Sequence, residues 1–213
     1  MLVDTPPELR LQLIAAGVSA VDAVWFTHIH ADHVHGIDDL RVFTARRGDV
    51  DAYIASEYRE KIARYFEYIF DEAVQAAPGS SIPSVKLHEL EEGRPVGIVG
   101  ESFTPLLVPH GPTNVYGFRV GKLGYITDGK RLPPTTLEAL KGVDVLVLNA
   151  LWFGRPHPSH FNIEEAIEAA REVGAERTYL THLTHRVTHA ELEERLPDGV
   201  MAAHDGLIVE VPS

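Results

Sequence analysis

Short apolar runs punctuated by turn-forming residues dominate the chain, the pattern of buried strands rather than long helices. Ala23-Val24-Trp25-Phe26, Asp51-Ala52-Tyr53-Ile54-Ala55, residues 143–148 and residues 177–181 predict strands, the last two each preceded by a helix pattern. A denser group follows in quick succession near residues 85–90, 96–99, 103–108, 115–120 and 123–127, with Gly, Pro or Asn between them. Within it, Arg119-Val120-Gly121-Lys122-Leu123-Gly124-Tyr125 fits a tight hairpin. Leu2-Val3-Asp4 reads as the tail of a strand ending in an acid.

Helical spacing is found in fewer places. Leu9, Leu13 and Ile14 form one apolar face, with Thr5 placed to cap, Pro6 at the first helical position and Glu8 three residues after the cap. Asp38–Phe43 predicts a second helix, and Ile62, Tyr65, Phe66, Ile69 and Phe70 predict one continuous helix over 57–70. Asn162 and Glu165 form a capping-box pair ahead of the Ile163, Ala166, Ile167, Ala170 face. The stretch 76–83, rich in Ala, Pro, Gly and Ser, predicts a mobile loop. Strand clusters punctuated by helices imply an α/β domain of layered sheet and helix, read as one domain over 1–213.

Composition narrows the partners. There is no apolar run of membrane-spanning length and no basic-then-apolar leader, so a cytoplasmic protein is expected. The chain has no cysteine, which excludes disulfides and thiolate zinc sites. Lys and Arg number 19 against 31 Asp and Glu, a formal charge of −12, which works against capture of nucleic acid or an anionic membrane. A small anionic substrate is compatible with that balance. Tyr58, Tyr65, Phe66, Tyr68 and Phe70 surround more of the 57–70 helix than one buried face requires, which leaves open a pocket wall or a homodimer interface.

Twelve histidines is a high count, and three of them crowd into Thr27-His28-Ile29-His30-Ala31-Asp32-His33 directly after a strand. In extended chain, residues i and i+2 project to one side, so His28 and His30 can close on one ion with Asp32 next in the row. A helix starting near Asp32 would swing His33 toward a second ion. Imidazole with carboxylate favours zinc, with manganese or iron as alternatives. Three later strands end in a further ligand type: His110, Asp128 and His182. A carboxylate such as Asp128 has two oxygens with which to bridge two metals.

His28-x-His30-x-Asp32-His33, followed in order by His110, Asp128 and His182 with Asp4 ahead, resembles the metallo-β-lactamase-fold hydrolases over nearly the whole chain. Asp4-Thr5-Pro6-Pro7-Glu8-Leu9-Arg10, the run Asp32–Arg41 and Ser159-His160-Phe161-Asn162 resemble the branch that contains phosphoribosyl 1,2-cyclic phosphate phosphodiesterase. The resemblance implies an αββα sandwich, without the initial strand pair that relatives place before Leu2. It implies two divalent ions, zinc first and manganese second, with His28, His30 and His110 on one, Asp32, His33 and His182 on the other, and Asp128 bridging. It further implies that Asp4 orients the ligands and that His160 contacts phosphate and assists the leaving oxygen. The expected activity is hydrolysis of a small cyclic phosphodiester. Three alternatives stand beside it: ribonuclease Z-type cleavage of RNA, a role related to pyrroloquinoline quinone biosynthesis, and a metal-binding module without turnover. His35, His157 and His185 lie close to the motifs as candidate substrate or supporting contacts; His88, His189 and His204 read as surface or core residues.

Overall fold

The computed structural model describes residues 1–212. The chain separates into two compact units, Met1–Glu91 with Ile98–Gly100, and Glu92–Gly97 with the residues from Glu101 onward.

In chain order the first unit comprises β1 (Leu2–Val3), α1 (Leu9–Ala15), β2 (Ala23–Trp25), α2 (Ala31–Val34), a 3-10 turn (Ile37–Leu40), α3 (Arg41–Arg47), β3 (Val50–Ala55), α4 (Ser56–Tyr65), α5 (Glu67–Phe70) and β4 (Val85–Leu90). Its four strands form an all-parallel sheet in the order β1-β2-β3-β4. Parallel strands covered by crossover helices are buried on both faces, so they read as continuous apolar runs. That is why all three residues of β2 and Phe26 after it are buried.

Two details of this unit depart from the sequence pattern. Thr5 does not cap a helix. It is fully buried, its N–H donates to the His33 carbonyl at 2.7 Å, its Oγ1 donates to the Val34 carbonyl at 3.2 Å, and its own carbonyl accepts from Gly36 N–H at 2.8 Å. Helix α1 starts only at Leu9, with Glu8 in the cap position and no side-chain cap. Residues 4–6 are thereby laced to α2 and the turn after it, and Gly36 is required there: a Cβ would lie 2.1 Å from the Pro6 carbonyl oxygen. The helix expected over 57–70 breaks at Phe66, whose φ −122° and ψ 48° are not helical. Tyr58 and Ile62 already fill the buried face of α4, and the break lets the single turn of α5 run elsewhere, with the Tyr68 hydroxyl donating to Asp38 Oδ1 at 3.1 Å. Tyr65 and Tyr68 are left 58% and 39% exposed, so the aromatic surplus is on the surface.

The seven-stranded sheet and its helices comprise β5 (Val96–Ile98), β6 (Glu101–His110), β7 (Thr113–Val120), β8 (Leu123–Ile126), α6 (Pro134–Leu140), β9 (Val145–Asn149), α7 (Ile163–Val173), β10 (Arg177–Thr181), α8 (His189–Arg195) and β11 (Val200–Ala202). The seven strands lie in the order β11-β10-β9-β8-β7-β6-β5. Strands β8 to β11 run parallel, and β6-β7-β8 form an antiparallel meander. The β7–β8 hairpin is tight as expected: Val120 pairs with Leu123, and Gly121 supplies the positive φ of 51°. Leu106, Val108, Ile126, Leu148, Phe161 and Leu180 belong to one buried cluster.

Helix α7 carries the complete capping box. Glu165 N–H donates to Asn162 Oδ1 at 2.8 Å and Asn162 N–H to Glu165 Oε2 at 3.0 Å, and Gly174 closes the helix at φ 75°. Elements α8 and β11 have no counterpart in the sequence pattern above, although Thr188 and Glu191 form the same type of box. Among the described residues, no helix is long and apolar enough to cross a membrane.

Candidate metal centre

In the first unit, the ends of β1 and β2 bring a carboxylate to a row of imidazoles. Asp4 turns out of β1 with a left-handed φ of 59°, rare for a residue with a side chain, and its N–H is held by the Trp25 carbonyl at 2.8 Å. Its Oδ1 accepts Thr27 N–H at 2.8 Å, and its Oδ2 accepts both Thr27 Oγ1–H at 2.8 Å and His33 Nδ1 at 2.6 Å. Burial pushes the Asp4 carboxyl up, while its bonds from His33 and Thr27 pull the other way.

These partners decide how the histidines carry their protons. The Thr27 hydroxyl has one hydrogen, given to Asp4, so at His28 Nδ1, 3.1 Å away, Thr27 Oγ1 can only accept. His28 Nδ1 is therefore protonated, and in the neutral ring Nε2 holds the lone pair. The same reasoning at His33, with an ionised Asp4, places its lone pair on Nε2. His28 Nε2 lies 2.8 Å from His30 Nδ1, so two ring nitrogens converge at one point. The His28 and His33 rings are 4.2 Å apart, and Asp32 Oδ2 lies 3.5 Å from His33 Nε2. His28 and His33 are buried, whereas His30 and Asp32 are exposed.

In the second unit, β6 ends in buried His110, the segment after β8 presents Asp128, and His182 leaves β10 with φ 58°. His110 Nδ1 donates to the Ser159 carbonyl at 3.0 Å, and since a carbonyl only accepts, the lone pair of the neutral ring again falls on Nε2. Asp128, 1% exposed, places Oδ1 2.9 Å from His160 Nε2 and 3.2 Å from His182 Nε2. Potential ligand atoms of His110, Asp128 and His160 lie within 4.8 Å of one another. The His160 and His182 rings stack at 5.0 Å.

His28, His33 and His110 thus share one device: Nδ1 anchored to oxygen, Nε2 left as the electron-pair donor. Such oxygen anchors are how proteins fix the tautomer and orientation of metal-binding imidazoles. The donor set, imidazole nitrogens and carboxylate oxygens, fits divalent zinc or manganese. Thr27 is the hub of this arrangement in the first unit, and the sequence shows no more of that than a threonine directly before His28. Of the histidines near the motifs, His157 approaches His160, its Nδ1 3.2 Å from His160 Nδ1, whereas His35 lies edge-on to Phe66 and His185 is exposed. His88 stacks on Tyr53 and pairs with Asp51 at the surface.

The family described as a beta-lactamase superfamily domain matches residues 1–183. A protein named octanoyltransferase from Porphyromonas gingivalis is 33% identical over 97% of the chain, but the chain spans only 41% of that protein's length. A ribonuclease Z from Myxococcus xanthus is 27% identical in an alignment covering 100% of the chain and 88% of the relative. Among solved structures, a diphosphatase of the PhnP family superposes with a TM-score of 0.86 at 33% identity, covering 99% of this chain and 80% of the other. The mixed sheet-and-helix architecture is therefore that of the metallo-β-lactamase fold.

Proposed function

We propose that this chain, which belongs to the β-lactamase superfamily, is a metal-dependent hydrolase that opens a small cyclic phosphodiester such as phosphoribosyl 1,2-cyclic phosphate. The observation that carries the metal chemistry is the shared anchoring of His28, His33 and His110 through Nδ1 to Thr27, Asp4 and the Ser159 carbonyl. We assign the holding of divalent ions to His28, His30, Asp32 and His33 in the first unit and to His110, Asp128 and His182 in the second. Zinc is the first choice and manganese the second. When bound, such ions supply Lewis-acid polarisation of the phosphate and lower the pKa of the attacking water.

The chain's own residues do the rest. Asp4 and Thr27 hold the ligating imidazoles in one tautomer, so that no proton has to move before an ion can bind. As water adds to phosphorus, the ester P–O bond breaks and the departing oxygen needs a proton. His160 is assigned to give it from Nε2, the nitrogen beside Asp128 Oδ1. The charge of −12 favours a small substrate over a long polyanion.

Cleavage of RNA is the second reading, favoured by the ribonuclease Z relative that aligns with the whole chain. The two are separated by one panel: metal-loaded protein assayed on a ribose cyclic phosphate, a linear phosphodiester, a diphosphate ester and precursor tRNA. Turnover fastest on the cyclic ester is expected. Turnover of precursor tRNA alone would favour the ribonuclease reading, and no turnover of any phosphodiester would overturn the proposal.

A further inference from the structure

In a chain with 31 acidic side chains against 19 Lys and Arg, a guanidinium with no carboxylate beside it stands out. Arg186 is one. Its Cζ lies 4.4 Å from the centre of the Trp152 ring, a contact that holds the side chain without using any of its five N–H donors. Among the described residues the Arg186 guanidinium makes no ion pair and no hydrogen bond. The neighbouring Phe153 is covered in the same way by Arg195 at 3.5 Å, but the charge of Arg195 is felt by Glu191, one turn earlier in α8.

Both halves of the stack are fixed by bonds of their own. Thr184 N–H and Thr184 Oγ1–H donate to the Leu151 carbonyl at 3.2 Å and 3.0 Å, which laces the segment after β10 to the segment after β9. Thr184 Oγ1 in turn accepts Arg186 N–H at 3.3 Å. The indole N–H of Trp152 donates to the Arg155 carbonyl at 2.7 Å. The stack also adjoins the residues assigned above. Thr184 follows His182 by two positions, and a single imidazole separates Trp152 from His160: the His157 ring is 5.6 Å from Trp152 and 5.0 Å from His160. A guanidinium held in place with its donors free is prepared for phosphate, which it can grip through two parallel bonds. Set back from His160 by two rings, it suits an anion of the substrate that takes no part in the reaction. Phosphoribosyl 1,2-cyclic phosphate has one at the far end of its ribose.

We propose that Arg186, splinted on Trp152, is a specificity residue that binds the second, non-reacting phosphate of the substrate. Its use in turnover rests on the phosphodiesterase reading; the anion site does not. Two measurements separate them. The first follows tryptophan emission in metal-free protein titrated with ribose 5-phosphate or with ribose at constant ionic strength. The chain has two tryptophans, of which Trp25 is fully buried and Trp152 lies under Arg186. A saturable change is expected with ribose 5-phosphate and none with ribose, and both Arg186→Gln and Trp152→Phe should abolish it. No response, or one that survives Arg186→Gln, overturns the anion site even if the protein hydrolyses nothing.

The second compares kcat/KM of metal-loaded protein on ribose 1,2-cyclic phosphate with and without the 5-phosphate. Wild type should favour the phosphorylated sugar about tenfold or more, through KM, as charge-assisted hydrogen bonds allow. Arg186→Gln should remove most of that preference. Arg186→Lys, which keeps the charge and loses the planar fork, should fall between. Arg155→Gln removes a charge from the same loop while leaving the stack, and should keep the preference within threefold. An unchanged preference in Arg186→Gln would make Arg186 a mere cover for Trp152, and an equal loss in Arg155→Gln would reduce the effect to general attraction; either overturns the assignment. Saturable binding with no turnover supports the anion site and overturns the phosphodiesterase reading alone.

Discussion

Thr27→Val isolates the hub of the first unit. The Thr27 side chain is fully buried, donates to Asp4 Oδ2 at 2.8 Å and accepts from His28 Nδ1 at 3.1 Å. Valine keeps the shape and removes both bonds. A hydrogen bond to a charged acceptor contributes about 1.5–3 kcal/mol, and taking away the acceptor of a buried donor costs about 1–3 kcal/mol. The second cost is avoidable: the His28 proton can move to Nε2. That relief has a consequence, because a protonated Nε2 cannot bind metal until the proton returns to the nitrogen that has lost Thr27. Without metal, the variant should therefore lose about 1.5–3 kcal/mol, the first bond alone. Zinc affinity should fall roughly 10- to 100-fold, the usual effect of removing a partner behind a ligating imidazole. Urea unfolding in chelator measures the first quantity, and zinc competition against a chromophoric chelator measures the second. Thr27→Ser, which retains the oxygen, should bind zinc within threefold of wild type. A Thr27→Val protein with wild-type stability in chelator and wild-type zinc affinity would refute the tautomer argument.

Three other outcomes follow from the same geometry. Gly36→Ala would drive a Cβ against the Pro6 carbonyl, 2.1 Å away, and should lower stability by about 1–3 kcal/mol in urea unfolding. His160→Ala should retain its metal by elemental analysis while losing about 10²- to 10⁴-fold in turnover of the cyclic ester, whereas loss of metal would make His160 a ligand instead of the proton donor. Burial, and then the bond to Asp38, push the Tyr68 phenol up to about 12. Because the folded state holds this proton more tightly than the unfolded chain, whose phenols titrate near pH 10, the contribution is fully present below pH 10 and is lost as the pH rises toward 12. Tyr68→Phe should flatten that part of the stability–pH curve, and an unchanged curve would remove the argument.

Much of the fold can be read from the chain because its signals are local. The hairpin at Gly121-Lys122 and the Asn162–Glu165 box are set by residues within four positions of one another, so their spacing is already their geometry. The same locality explains the errors. Thr5-Pro6-Pro7-Glu8 is a sound helix start taken alone, but the bonds from Thr5 to His33, Val34 and Gly36 pull it into another structure. Helical periodicity continues through Phe66, yet α4 has no further buried face for those aromatics to fill.

The chain by itself determined that histidines and aspartates follow the ends of strands, and in what order. What it could not carry is the hydrogen on each ring. Asp4 reaches Thr27 and His33 across 23 and 29 positions, and His110 reaches Ser159 across 49. Those separations are closed by sheet register and loop packing, which periodicity does not encode. The residue types make metal binding chemically available; the tertiary structure, by placing an oxygen behind Nδ1 of His28, His33 and His110, decides which of their nitrogens is ready to bind.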